Sequence, residues 1–286
     1  MFEVSNVGIL SWTAIKWRCK VSSADSKPSQ KIHYELSFFC FSEESLSTSL
    51  VLILYFEDAT MKEETLIFYA MLCAAIFLGR VPLIGPFFRV INTMVHETGH
   101  ALTTLLFSGK VYKIELFSDL SGTTISSTKG KFARIIVSLT GYPFSTAMAW
   151  LMFYLLYHQQ QRAVIILFTG MSLFCLIFFV RNIYGVIWLC AFIILNVAAL
   201  YFLSYEIIYW IALIFSVFLL GDAVASVLLL LILSIKAPRK SGDAHSLRQL
   251  TGIHEVVWSL LFAAFALWIA YDIIIKFFPK FPSLPV

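Results

Sequence analysis

The chain has 286 residues, 59% of them hydrophobic and 13% charged, with a mean hydropathy of +0.84 and a formal net charge of +4. A soluble domain carries about a quarter charged residues, so the composition excludes an ordinary water-soluble fold and points to an integral protein of the lipid bilayer. The basic residues gather in a few loops, which speaks to membrane topology and against a nucleic-acid partner.

Residues 1–60 differ in character from the rest of the chain. They are rich in Ser, Lys and Glu, and Ser22 to Ser29 reads as a flexible linker. The apolar run Leu46 to Phe56 is too short to span alone. Neither a basic n-region nor a long apolar core opens the chain, so no signal peptide is expected. The expected organisation is a variable N-terminal segment, 1–60, of unknown role, then a membrane domain, 61–286. Met61 is itself a candidate start, which mass spectrometry of the native N-terminus would decide. The five cysteines (Cys19, Cys40, Cys73, Cys175, Cys190) form no Cys-x-x-Cys pair, so neither a disulfide framework nor a cysteine-held metal is indicated.

From Leu66 to about Phe88 runs a span interrupted by Arg80, Pro82 and Pro86, the prolines signalling a kink or break. Next, in an apolar helix over about 90–107, stands Val95-His96-Glu97-Thr98-Gly99-His100, a His-Glu-x-x-His pattern. On a helix His96 and His100 lie one turn apart on one face, about 5–6 Å at their roots, so two neutral imidazoles can reach one zinc ion. Glu97, one position round the helix, is placed to take a proton from a water activated by such an ion and return it to a leaving amine. Glu and His inside an apolar span are costly unless used, which favours a metallohydrolase site over coincidence.

Lys110 to Ser127 changes character. Val111, Lys113, Glu115 and Phe117 alternate with Tyr112, Ile114 and Leu116, Asp119 to Gly122 offers a turn, and Thr123 to Ile125 favours a returning strand. A β-hairpin is expected here. Further spans are expected at 135–157, 163–180, 183–203 and 207–235, then a polar loop from Lys236 to Gln249 and a last span at 253–275. The expected fold is an all-α polytopic membrane protein of about seven transmembrane helices with this small hairpin after the motif helix. Alternating the spans puts Lys110, Lys113, Lys129, Lys131, Arg181, Lys236, Arg239, Lys240 and Arg248 on one side. Arg89, Arg162, Lys276 and Lys280 fall on the other, so the hairpin side is expected to be cytoplasmic.

Catalytic zinc needs a third protein ligand. Asp222, near the middle of the 207–235 span, is the leading candidate, because an unpaired carboxylate there costs several kcal/mol that coordination would remove. Its alternative is a pairing with Arg181 or Asn182. Asp119, Asp243 and Glu206 sit in a turn, a polar loop and a span end, where charge is ordinary. His158 and His245 read as solvated loop residues, and His254 with Glu255 as a helix-start pair.

On these residues the chain resembles the site-2 protease group of intramembrane zinc metallopeptidases, in particular its small bacterial M50B-like branch. The resemblance runs from about Met61 to Phe278. It rests on Val95 to Leu102, with supporting matches at Gly109-Lys110-Val111, Ser121-Gly122-Thr123, Gly141-Tyr142-Pro143, Arg181 to Gly185, and Asp243-Ala244 with Leu250-Thr251-Gly252. It implies that His96 and His100 bind Zn2+, that Glu97 is the catalytic acid/base, and that transmembrane segments of other membrane proteins are cut, in the bacterial cell membrane. The family's usual third ligand is an aspartate in an Asn-Pro…Asp-Gly or Leu-Asp-Gly context, which this chain lacks. Two rival functions are a turnover-free binding or scaffolding protein that keeps the site residues, and a proton or metal transporter. Against transport, no matching pair of interrupted segments suggests inverted repeats.

Overall fold

The computed structural model describes residue 70 and residues 85–119 and 121–277. The expected N-terminal segment, 1–60, and most of the expected 66–88 span lie outside the described residues. The described residues form seven α-helices and one two-stranded sheet. In order they are α1 (Gly85–Leu106), β1 (Lys110–Leu116), β2 (Gly122–Ser127), α2 (Lys131–Tyr157), α3 (Gln161–Phe178), α4 (Ile183–Phe202), α5 (Tyr205–Lys236), α6 (Gly242–Thr251) and α7 (Glu255–Phe277). Five of these (α2, α3, α4, α5 and α7) are long and apolar enough to cross a membrane.

The fold departs from the sequence-based expectation in two places. The motif helix α1 is not among the five apolar spans, because one of its faces carries Asn92, His96, His100, Thr103 and Thr104. The stretch expected to be a polar loop, Lys236 to Gln249, instead holds a 3-10 turn at Pro238–Lys240 and the ten-residue helix α6. Ala244 and Leu247 of α6 are fully buried, a helical i, i+3 pair hidden within otherwise polar sequence.

The outward faces of the spans stay apolar, as lipid requires: Ile183, Ile194 and Tyr201 are each more than 60% exposed. Their inward faces pack Phe153, Phe168, Phe192 and Leu219 around α1, where Val90, Met94 and Val95 are buried. A smaller cluster joins Val227 and Leu230 of α5, Ala244 and Leu247 of α6, and Phe262 and Ala266 of α7. Lipid tails are as apolar as these side chains, so close packing and internal hydrogen bonds hold the bundle. Hydroxyls inside the helices are satisfied locally: Thr98, Thr140, Thr146, Thr169, Ser172 and Ser216 each donate to the carbonyl one turn back.

The hairpin forms as expected, with Phe117 N–H closing the turn onto the Ser121 carbonyl at 2.9 Å. A register shift between Val111 and Lys113 interrupts the pairing. The far edge of β1 is already taken. Ile114 pairs in parallel with Val180, and the Asn182 side-chain amide exchanges both hydrogen bonds with the Leu116 peptide, standing in for a strand. Arg181 turns back on α3 and donates to the carbonyls of Leu176, Ile177, Phe178 and Val180, closing its C-terminus.

Candidate metal centre

His96 and His100 point the same way from the middle of α1, as their spacing requires. Their Nε2 atoms are 3.1 Å apart, with the rings edge to face. His100 Nδ1 lies 2.7 Å from the Val137 carbonyl of α2. That contact fixes the proton on Nδ1 and leaves the Nε2 lone pair directed into the site.

The acidic oxygen that completes the group belongs to Asp243. Its Oδ2 is 3.2 Å from His96 Nε2 and 3.3 Å from His100 Nε2. Asp243 opens the first turn of α6, which packs between α2 and α7 and so brings the carboxylate down onto α1. Asp222 is elsewhere. Its Oδ1 accepts from Arg89 Nε at 3.0 Å and its Oδ2 from Asn92 Nδ2 at 2.9 Å. Asn92 stands one helical turn before His96, so Asp222 meets α1 short of the histidines and is engaged by a guanidinium and an amide. The penalty of a carboxylate inside the bundle is thus relieved by Arg89. Neither the histidine pair nor the expected alternatives, Arg181 and Asn182, supply that relief.

The three ligand atoms form a nearly equilateral triangle with sides of 3.1, 3.2 and 3.3 Å. A tetrahedral zinc ion with bonds of about 2.0–2.1 Å sets its ligand atoms about 3.3–3.4 Å apart. Two imidazole nitrogens at such a distance need a proton or a metal cation between them. The donor set, His, His and Asp, could hold a metal ion, with one position left for water.

Space for the ion comes from α2. A Cβ on Gly141 would lie 2.5 Å from His100 Nε2 and 2.6 Å from His96 Nε2, in the room an ion needs. Tyr142, next in sequence, packs its ring edge-on against His96 at 4.5 Å. Pro143 then removes one intrahelical donor from α2 beside the site.

Glu97 is 6% exposed, and Thr124 of β2 reaches its carboxylate. Of the residues singled out by sequence, His96, Glu97 and His100 come together and Asp222 does not join them. The dense charge of Lys236 to Gln249 disguises Asp243. Two signals for it are nonetheless present: a helix start with an acid in the first turn of Gly242-Asp243-Ala244, and the apolar pair Ala244 and Leu247 before Gly252. The residues expected to be solvated or interfacial also find partners. His245 Nδ1 and Arg248 Nη1 both reach the buried Glu255 carboxylate, at 2.9 and 2.8 Å, tying α6 to the start of α7.

Compared with known proteins, residues 68–272 match the Peptidase M50B-like family. No curated protein and no solved structure matches the chain.

Proposed function

The chain belongs to the Peptidase M50B-like family, and on that premise we propose that it is a zinc-dependent endopeptidase acting inside the membrane on segments of other membrane proteins. The observation that carries this reading is the triangle of His96, His100 and Asp243 with Glu97 beside it. We assign the zinc ligands as His96, His100 and Asp243, with Asp222 a structural residue of the α1–α5 contact.

His96, His100 and Asp243 would hold the zinc ion, which would supply Lewis acidity toward a carbonyl and a water near neutral pH. Glu97 would act as the acid/base, accepting a proton from the attacking water and delivering it to the leaving amine. His100 is kept in the ligating tautomer by Val137, and the surrounding apolar spans exclude bulk water. A helical substrate segment must unwind first, because its carbonyls are engaged in intrahelical bonds. Among the described residues β2 has β1 as its only strand partner, and the far edge of β1 is closed by Val180 and Asn182. The unwound segment therefore adds to β2.

The test is Glu97→Gln in the purified, reconstituted protein. This variant is expected to bind zinc as wild type does and to lose cleavage of a reporter membrane segment. Wild-type cleavage by Glu97→Gln would end the peptidase reading. Orientation follows the charge. The hairpin side carries the greater share of Lys and Arg, so it faces the cytoplasm.

A further inference from the structure

The carboxylate of Glu97 is buried in the bundle, yet among the described residues no cationic side chain lies within ion-pair distance of it. Among the described residues its one side-chain hydrogen bond comes from the hairpin: Thr124 Oγ1 donates to Glu97 Oε2 at 2.6 Å, with the Glu97 backbone carbonyl a longer alternative at 3.2 Å. Thr124 is the middle of three β2 positions that alternate inward, Gly122, Thr124 and Ser126. Each touches α1. A Cβ on Gly122 would lie 2.8 Å from Glu97 Oε1, and Ser126 Oγ accepts from Thr104 at 3.2 Å. The second strand thus runs along α1 and closes over the carboxylate.

We infer that Thr124 is a positioning residue, which fixes one oxygen of Glu97 so that the other is presented to the reacting water. A carboxylate on a stem of two methylene groups, with three rotatable bonds, turns among several rotamers unless held. A single short hydrogen bond from a strand that is itself anchored to α1 at Thr104, and through its partner β1 to Asn182, removes that freedom. Position 124 also belongs to the strand assigned above to the substrate, so seating of the extended segment on β2 and the aim of the base depend on one strand. The inference rests on the peptidase reading.

The experiment compares Thr124→Val, Thr124→Ser and Thr124→Ala with wild type and Glu97→Gln, on a reporter membrane segment that wild type cleaves in phospholipid vesicles. Zinc content is measured on each preparation. Loss of the hydroxyl in Thr124→Val is expected to lower kcat about 10–100-fold, with KM within about twofold and zinc unchanged. Thr124→Ser is expected to recover most of the rate. Thr124→Ala supplies the same readout should the valine variant not fold. Wild-type kcat in Val or Ala, a serine variant as slow as valine, a change confined to KM, or loss of zinc would each overturn the inference. If Glu97→Gln cleaves as wild type does, the peptidase reading itself has failed and takes this inference with it. An inert Glu97→Gln beside an unimpaired Thr124→Val sinks the inference alone.

Discussion

Two aspartates divide the work at the residue scale. Asp243 faces two imidazoles and Asp222 faces a guanidinium and an amide. Their substitutions therefore separate cleanly. Asp243→Ala is expected to reduce bound zinc from about one ion per chain to a small fraction of that, since two histidines do not hold a catalytic zinc. Asp222→Ala is expected to keep the zinc and to lower stability by about 1–3 kcal/mol, because Arg89 and Asn92 then lose their shared acceptor. Elemental analysis with thermal unfolding of each variant checks both, and zinc loss in Asp222→Ala alone would reverse the assignment. Gly141 belongs at this scale too. Alanine is the better helix former, yet a methyl group there would occupy the room between the imidazoles.

Elements meet at the site in an uneven way. The histidines ride on α1, a long helix packed on several sides, whereas Asp243 rides on α6, only ten residues long. What holds α6 in place is Glu255 at the first position of α7. It is fully buried, with Arg248 and His245 of α6 both on its carboxylate. Glu255→Gln leaves the volume unchanged but weakens both charge-assisted contacts. It is expected to lower zinc affinity about 10-fold while leaving the helical content measured by circular dichroism intact. Competition against a chelating dye measures the affinity, and an unchanged value would show that α6 is held by its apolar face alone. The hairpin is the second such element. Its β1 edge is closed and its β2 strand lies against Glu97, so the two sides of one small sheet have different partners.

At the scale of the described membrane bundle the helix ends sort onto two faces. The hairpin, Val180, the Pro238–Lys240 turn and α6 share one face, since Ile114 pairs with Val180 and α6 packs on α2. The opposite face gathers the C-termini of α2 and α7, where Phe277 packs against Trp150, Tyr154 and Tyr157, and the Tyr205 hydroxyl donates to the Gln159 carbonyl. Lys129, Lys131 and Arg134 mark the first face and Arg162 and Lys276 the second. A cysteine at Lys129, in a chain otherwise freed of cysteine, is expected to react with an impermeant thiol reagent in inside-out vesicles and not in intact cells. One at Arg162 is expected to show the reverse, and the opposite pattern would invert the topology.

Composition alone required a membrane protein, and local spacing alone put His96 and His100 on one face with Glu97 beside them. Alternation marked the hairpin, and its turn residues marked where it reverses. These features depend on neighbours in sequence, through the 3.6 and 2 residue periods, so no folding was needed to read them. The choice between Asp222 and Asp243 depends on where distant helices come to rest. Depth in the bilayer favoured Asp222, but Arg89 and Asn92 of α1 reach it first, while packing of α6 between α2 and α7 carries Asp243 inward. Thr124 entered the sequence reading only as a strand former and Gly141 only as part of a supporting match, because a hydroxyl on a strand and a missing Cβ on a helix take their meaning at the site only from what the fold sets against them.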